Sequence, residues 1–158
     1  MHIKFAREII RGRIAEVIFE QMFKEEGSST VIPFGYESTM PVMAQLRNAK
    51  TPQRIKSLVK GAPDFALIGP GGRGVFLVEV KYRSTYSKSE IKKIAQRQLK
   101  NWSPSFLFIA TPQGFYLSSC SEIVSRGGEI APLPTNLISQ ELQEKYLKLL
   151  KEFEGGQK

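Results

Sequence analysis

The sequence predicts a single α/β domain spanning residues 1–158, with helices flanking a central mixed β-sheet. Three observations carry this. Apolar spacing switches between the 3.6-residue period of helices and the two-residue period of strands. Gly and Pro clusters fall at the switches, and no linker, internal repeat or low-complexity tract divides the chain.

Residues 4–26 contain no proline and carry Phe5, Ile9, Ile10, Ile14, Val17, Ile18, Met22 and Phe23 before a stop at Gly27-Ser28-Ser29, which predicts a first helix. Its apolar positions go most of the way round, so it is expected to be largely buried. Thr30 to Ser38 reads as a strand distorted at Pro33 and Gly35. Residues 39–62 form a basic connection with a short helix expected around Gln53 to Lys60. Asp64 to Ile68 and Val75 to Tyr82 read as two strands joined by Gly69-Pro70-Gly71-Gly72-Arg73-Gly74, a hairpin signal because glycine accepts positive φ. That stretch is no phosphate cradle, since a strand follows it and no Gly-Lys-Ser/Thr ending is present. Ser87 to Trp102 predicts a second helix, capped by Ser87 or Ser89 and ended by Ser103-Pro104. Phe106 to Ala110 and Phe115 to Ser118 follow as strands, then a proline-bearing loop at Pro132 and Pro134. A final amphipathic helix is expected from about Ser139 to Phe153, with Leu142, Tyr146, Leu149, Leu150 and Phe153 on its apolar face. The core is expected over about residues 4–118, with 119–158 as a C-terminal extension.

Composition narrows the function. Hydrophobic residues at 41% are ordinary for a globular protein. No apolar run approaches the roughly 18 residues that span a bilayer, and the N-terminus lacks a signal-peptide pattern, so a cytoplasmic protein with no membrane partner is expected. Cys120 is the single cysteine and His2 the single histidine, which excludes a disulfide framework, a Cys/His zinc site and Cys-His thiol catalysis. A net charge of +8 and a pI near 9.7 favour a polyanionic partner, nucleic acid above all. The charge is uneven: residues 1–121 carry 18 basic and 9 acidic side chains, whereas residues 122–158 carry 5 and 6. A homodimer is left open.

Between Glu37 and Glu90 the only acids are Asp64 and Glu79, among nine basic residues. Both lie in apolar strand-like runs, where a half-buried carboxylate needs a cation or a hydrogen-bond partner. Alternation puts Val75, Leu77, Glu79 and Lys81 on one face of their strand, and Asp64 opens the partner strand, so the two acids can approach one another. Two close carboxylates repel, and a hard divalent cation such as Mg²⁺, with Mn²⁺ able to replace it, removes that penalty. Such a centre with an ammonium beside it suits phosphodiester hydrolysis. On the first helix Glu16 falls near an apolar stripe, and Glu20, one turn away, is nearly as well placed.

Gly61-x-Pro63-Asp64, the glycine-rich hairpin and Glu79-Val80-Lys81 together resemble the PD-(D/E)XK nuclease superfamily, which includes restriction endonucleases and archaeal Holliday-junction resolvases. Gly12-Arg13-Ile14-Ala15-Glu16 looks like the Gly-x-x-x-Glu element of the resolvase-like branch. Gln98-Leu99-Lys100-Asn101-Trp102 is similar to the Gln-x-x-x-Tyr element of RecB-like members, with Trp at the aromatic position. The resemblance covers about residues 8–118 and implies an αβββαβ core. It implies Asp64 and Glu79 as metal ligands, the Val80 backbone carbonyl as a third, Lys81 as the catalytic lysine and Glu16 as an accessory metal or water ligand. The reaction implied is Mg²⁺-dependent hydrolysis of DNA, ahead of RNA. Candidates for substrate contact are Arg47, Lys50, Arg54, Lys56 and Lys60, and, on the second helix, Lys92, Lys93, Arg97, Gln98 and Lys100. The rival expectation is a non-catalytic nucleic-acid-binding or assembly module that keeps the nuclease fold.

Overall fold

The computed structural model describes residues 2–35 and 61–155. Helix α1 (Ile3–Glu26) leads into β1 (Thr30–Pro33), β2 (Phe65–Ile68) and β3 (Val75–Tyr82); α2 (Lys88–Asn101) crosses to β4 (Ser105–Thr111) and β5 (Gly114–Ser119), and α3 (Cys120–Ser125) and α4 (Gln140–Gly155) complete the chain. The five strands lie in sequence order in one mixed sheet, antiparallel except for the parallel β3–β4 pair that α2 connects. The expected α/β class and mixed sheet are therefore present. Among the described residues no helix is long and apolar enough to cross a membrane.

Strand parity sorts the core into two layers. Val78, Val80 and Tyr82 of β3, with Phe108 and Ala110 of β4, face α1 and α4; Leu107 and Ile109 face α2 and α3. Phe19 is the centre of the first layer, its ring 4.6 Å from Phe23, 5.1 Å from Phe65 and 5.0 Å from Phe108. Fully burying a side chain of this size contributes about 3 kcal/mol. In the second layer Ile91, Ile94 and Ala95 of α2 meet Cys120 and Ile123 of α3. Ser87 is the cap of α2, its Oγ accepting from Glu90 N at 3.2 Å, which decides between the two serines proposed.

Four expectations change. Only the C-terminal half of α1 is buried, through Ala15, Ile18, Phe19, Met22 and Phe23, whereas Ile3, Phe5, Ile9, Ile10 and Val17 are exposed; the all-round apolar pattern reflects an inner face and an outer one. The described part of the first strand stops at Pro33, and residues 36–38 lie outside the described residues, as does the helix expected around 53–60. Asp64 precedes β2: its carbonyl accepts from Phe34 N, in step with the β1 register, and also from Gly35 N, while on the β3 side its carboxylate and not a backbone carbonyl accepts from Val80 N. Helix α3 was not expected, although Ser119-x-x-Glu122 is a capping signal, and Ser119 Oγ does accept from Glu122 N.

The C-terminal region is part of the core. Leu133, Ile138 and Leu150 are buried in the layer under α1. The stretch 131–133 lies along the outer side of β5, where Leu117 N donates to Ala131 O and Leu133 N to Phe115 O, both at 2.9 Å. Gly128 (φ +100) fits where no larger residue could, since a Cβ there would stand 1.9 Å from Lys88 O at the start of α2.

Candidate metal and phosphate site

The site grows out of the β2–β3 register. The last pair is Phe65 with Val78, so one step further sets Asp64 across from Glu79. There the ladder stops: Asp64 Oδ2 accepts from Val80 N at 2.8 Å, taking the place that a strand carbonyl would fill. A residue's N–H and C=O leave a strand on the same side, so the Val80 carbonyl also points toward Asp64. Gly35 closes against this turn, and a Cβ on it would come within 3.2 Å of Asp64 Cα.

A pocket of about 230 Å³ opens at this end of β3, lined by Glu8, Gly12, Glu16, Asp64, Glu79, Val80, Lys81, Tyr82 and Arg83. Glu79 is 6% exposed and fully engaged: Lys81 Nζ stands 3.0 Å from Oε1, and Gln98 Nε2 donates to Oε2 at 2.9 Å. Gln98 also donates to Gly61 O at 3.2 Å, so one amide ties α2 to the acid and to the turn leading into Asp64. Its Oε1 is buried without a partner. Glu16 reaches the pocket from the opposite face of the sheet, steadied by Arg13 at 3.2 Å.

Burial, then the Glu79 carboxylate close enough to share a hydrogen bond, pushes the Asp64 carboxyl up to about 7, against the lowering effect of the Val80 N–H. The Glu16 carboxyl is raised as well, first by burial and then by Asp64, with Arg13 and Lys81 opposing. Two acids held together with one driven toward its protonated form are short of positive charge. Their donor atoms are all oxygens, the set a hard divalent cation prefers. Asp64, Glu79 and the Val80 carbonyl thus fit such an ion. Among the described residues no three His, Cys, Asp or Glu side chains are gathered closely enough to enclose one by themselves, so Glu16 stands beside the pair and does not complete a preformed trio.

Glu16, Asp64, Glu79, Val80 and Lys81 therefore meet in one place. Between the two first-helix candidates the geometry selects Glu16, since Glu20 turns to Lys24 at 2.6 Å. Lys92, Lys93, Arg97 and Lys100 ride on α2, and none of them lines the pocket. Gln98 departs from its expected role in substrate contact: it sits on the inward face of α2 with Ile91, Ile94 and Ala95, and its amide is spent on Glu79. Arg47, Lys50, Arg54, Lys56 and Lys60 lie outside the described residues. Sequence reasoning missed Glu8 and Arg83 in the pocket wall. The Glu8-x₃-Gly12-x₃-Glu16 spacing, one helical face, was a usable signal for the first. Arg83 pairs with Glu90 of α2, and this contact needs the α2 crossover to form. No protein-family model matches the chain, and no curated protein matches it either.

Proposed function

We propose that this chain is a divalent-metal-dependent nuclease that hydrolyses phosphodiester bonds in DNA. The observation that supports the reading best is the contact of Asp64 with Glu79 beside Lys81, in a pocket of a protein with net charge +8. Glu79 would otherwise be a structural acid neutralised by Lys81; that simpler role leaves the raised Asp64 carboxyl next to it without purpose.

On this reading Asp64, Glu79 and the Val80 carbonyl hold Mg²⁺, or Mn²⁺ in its place. The ion, when bound, lowers the pKa of water and offsets charge on the phosphate. The chain's own residues do the rest. Gln98 fixes one oxygen of Glu79 so that the other stays directed at Lys81 and the pocket. The Lys81 ammonium offers a cation to the phosphate oxygens as negative charge builds on them. Glu16, which lines the far wall, would accept a hydrogen bond from the attacking water. In the net reaction the water oxygen bonds to phosphorus, one P–O ester bond breaks, and the leaving oxygen takes a proton. The exposed lysines of α2 hold phosphates further along and set register, not sequence choice.

The test is a cleavage assay of the purified chain with Mg²⁺ or Mn²⁺ on linear, nicked, single-stranded and four-way DNA. Metal-dependent cleavage of at least one form is expected. Binding to DNA with no cleavage of any form in either metal rejects the enzyme in favour of a non-catalytic nucleic-acid-binding module.

A further inference from the structure

Strand β3 runs on past its partner. Its pairing with β2 ends at Val78, so from Glu79 to Tyr82 it is joined to β4 on one side and open on the other. Asp64 covers the start of that open edge by accepting from Val80 N. Backbone N–H groups leave a strand alternately to either side, so the Tyr82 N–H points out along the same edge, beyond the end of β2. The pocket follows this edge from Asp64 to Arg83, and beside Gly12 of α1 its space is open, with nothing within 4 Å of where a Cβ would stand.

Arg83 stands at the far end of that edge. Its N–H donates to Ala110 O at 3.0 Å, which carries the β3–β4 ladder one step beyond Tyr82, so parity sets it on the face of Glu79 and Lys81. Arg83 Nε is held by Glu90 of α2, and Nη1 donates to Tyr82 O at 2.7 Å. A guanidinium has five N–H donors, so three remain without a partner among the described residues, on a side chain 33% exposed in the pocket wall. Glu90 belongs to a Ser-x-x-Glu cap, whose acid ordinarily turns back to the serine N–H; here its Oε1 goes to Arg83. Lys81 leans the other way, to Glu79 at 3.0 Å. The two cations are drawn to different acids, one on the strand and one on α2, an arrangement that serves two phosphates better than one. The acid in this part of the wall, Glu8, is turned to Arg11 at 3.2 Å.

We propose that Arg83, with the Tyr82 N–H beside it, forms a second phosphate subsite that holds the phosphate next to the one being cleaved, on the same DNA strand. A guanidinium fork and a backbone N–H are the donors that phosphate oxygens accept from best. Glu90 is a positioning residue, fixing the fork of Arg83 at the pocket. The proposal rests on the nuclease reading for which phosphate is cut. Its consequence is a preference for a strand with two consecutive charged phosphates, one at Lys81 and one at Arg83.

The test is steady-state cleavage, with Mg²⁺, of an oligonucleotide whose cut bond has been mapped, beside the same strand carrying one uncharged methylphosphonate next to that bond, on either side in turn. Arg83→Gln should raise KM about 10- to 100-fold, the worth of a hydrogen bond to a charged group, with kcat nearly unchanged. The methylphosphonate on one side should cost the wild type a similar factor and cost Arg83→Gln almost nothing more. Glu90→Gln removes the ion pair and keeps the shape; it should raise KM less than Arg83→Gln does and remain sensitive to the methylphosphonate. Equal losses in both variants, indifferent to the methylphosphonate, would mean that the pair only ties β3 to α2, and overturn the proposal. A wild-type KM in Arg83→Gln overturns it too. If no DNA is cut, the nuclease reading fails by itself and the subsite is judged by binding: Arg83→Gln should reduce the slope of log K against log[salt] by about 1 unit, and an unchanged slope overturns the subsite.

Discussion

Gln98 Nε2 donates to Glu79 Oε2 at 2.9 Å, across the layer between α2 and the sheet, and the same nitrogen reaches Gly61 O at 3.2 Å. A buried carboxylate held this way has little freedom to turn. Supporting contacts of this type are worth about 10- to 100-fold in activity or metal affinity. Gln98→Ala should therefore lower the single-turnover cleavage rate by about that factor while leaving DNA affinity nearly unchanged, and Gln98→Glu should be worse because it adds a negative charge beside Glu79. Wild-type turnover in Gln98→Ala would show that the amide only pins the helix.

Removing either acid separates chemistry from binding. Asp64→Asn and Glu79→Gln should abolish cleavage, yet bind DNA as well as wild type or better, since each takes a negative charge out of a site meant for phosphate. Lys81→Ala should cripple turnover with Mn²⁺ binding retained. Calorimetric Mn²⁺ titration beside the cleavage assay checks both halves, and loss of DNA affinity in Asp64→Asn contradicts the assignment.

The raised Asp64 carboxyl gives stability a pH dependence. Folded, the group loses its proton at about 7; unfolded, near the ordinary aspartate value of 3.8. Between those values the unfolded chain binds fewer protons than the folded one, so this group's contribution is full below the lower value, falls as pH rises and is gone above about 7. Denaturant unfolding of metal-free protein across this window should show the decline, and Asp64→Asn should flatten it, leaving the smaller slope due to Glu16. Mg²⁺ should recover stability at the upper end by binding the folded state. Identical pH profiles for wild type and Asp64→Asn would mean that the acids are uncoupled.

Phosphate contacts are read through salt. Replacing Lys92, Lys93, Arg97 and Lys100 by Ala should weaken binding alike on all sequences and reduce the slope of log K against log[salt] by up to about 3 to 4 units. The same measurement on Arg54, Lys56 and Lys60 should give up to about 3. The cluster whose removal leaves the slope untouched is outside the nucleic-acid path.

Much of the site was legible because strand parity is a local rule: Glu79 and Lys81 must share a face, and a hairpin must return Asp64 toward them. What periodicity could not supply was the third dimension. Nothing local says that Gln98 turns inward to Glu79 and not outward with Arg97, or that Glu16 and not Glu20 meets the pocket from the other side of the sheet. For α1 the pattern was read correctly and its meaning was not. Apolar residues on every side can mean burial all round or burial of one side only, and only exposure at Ile3, Ile10 and Val17 tells them apart.

The stretch 131–133 along β5 bears on how this protein behaves when crowded. With that border occupied, the remaining border among the described strands is β1, four residues long and ending in Pro33, which has no N–H to offer a neighbour. A foreign strand finds little to zip onto at either margin, the usual defence against fibre-like accretion.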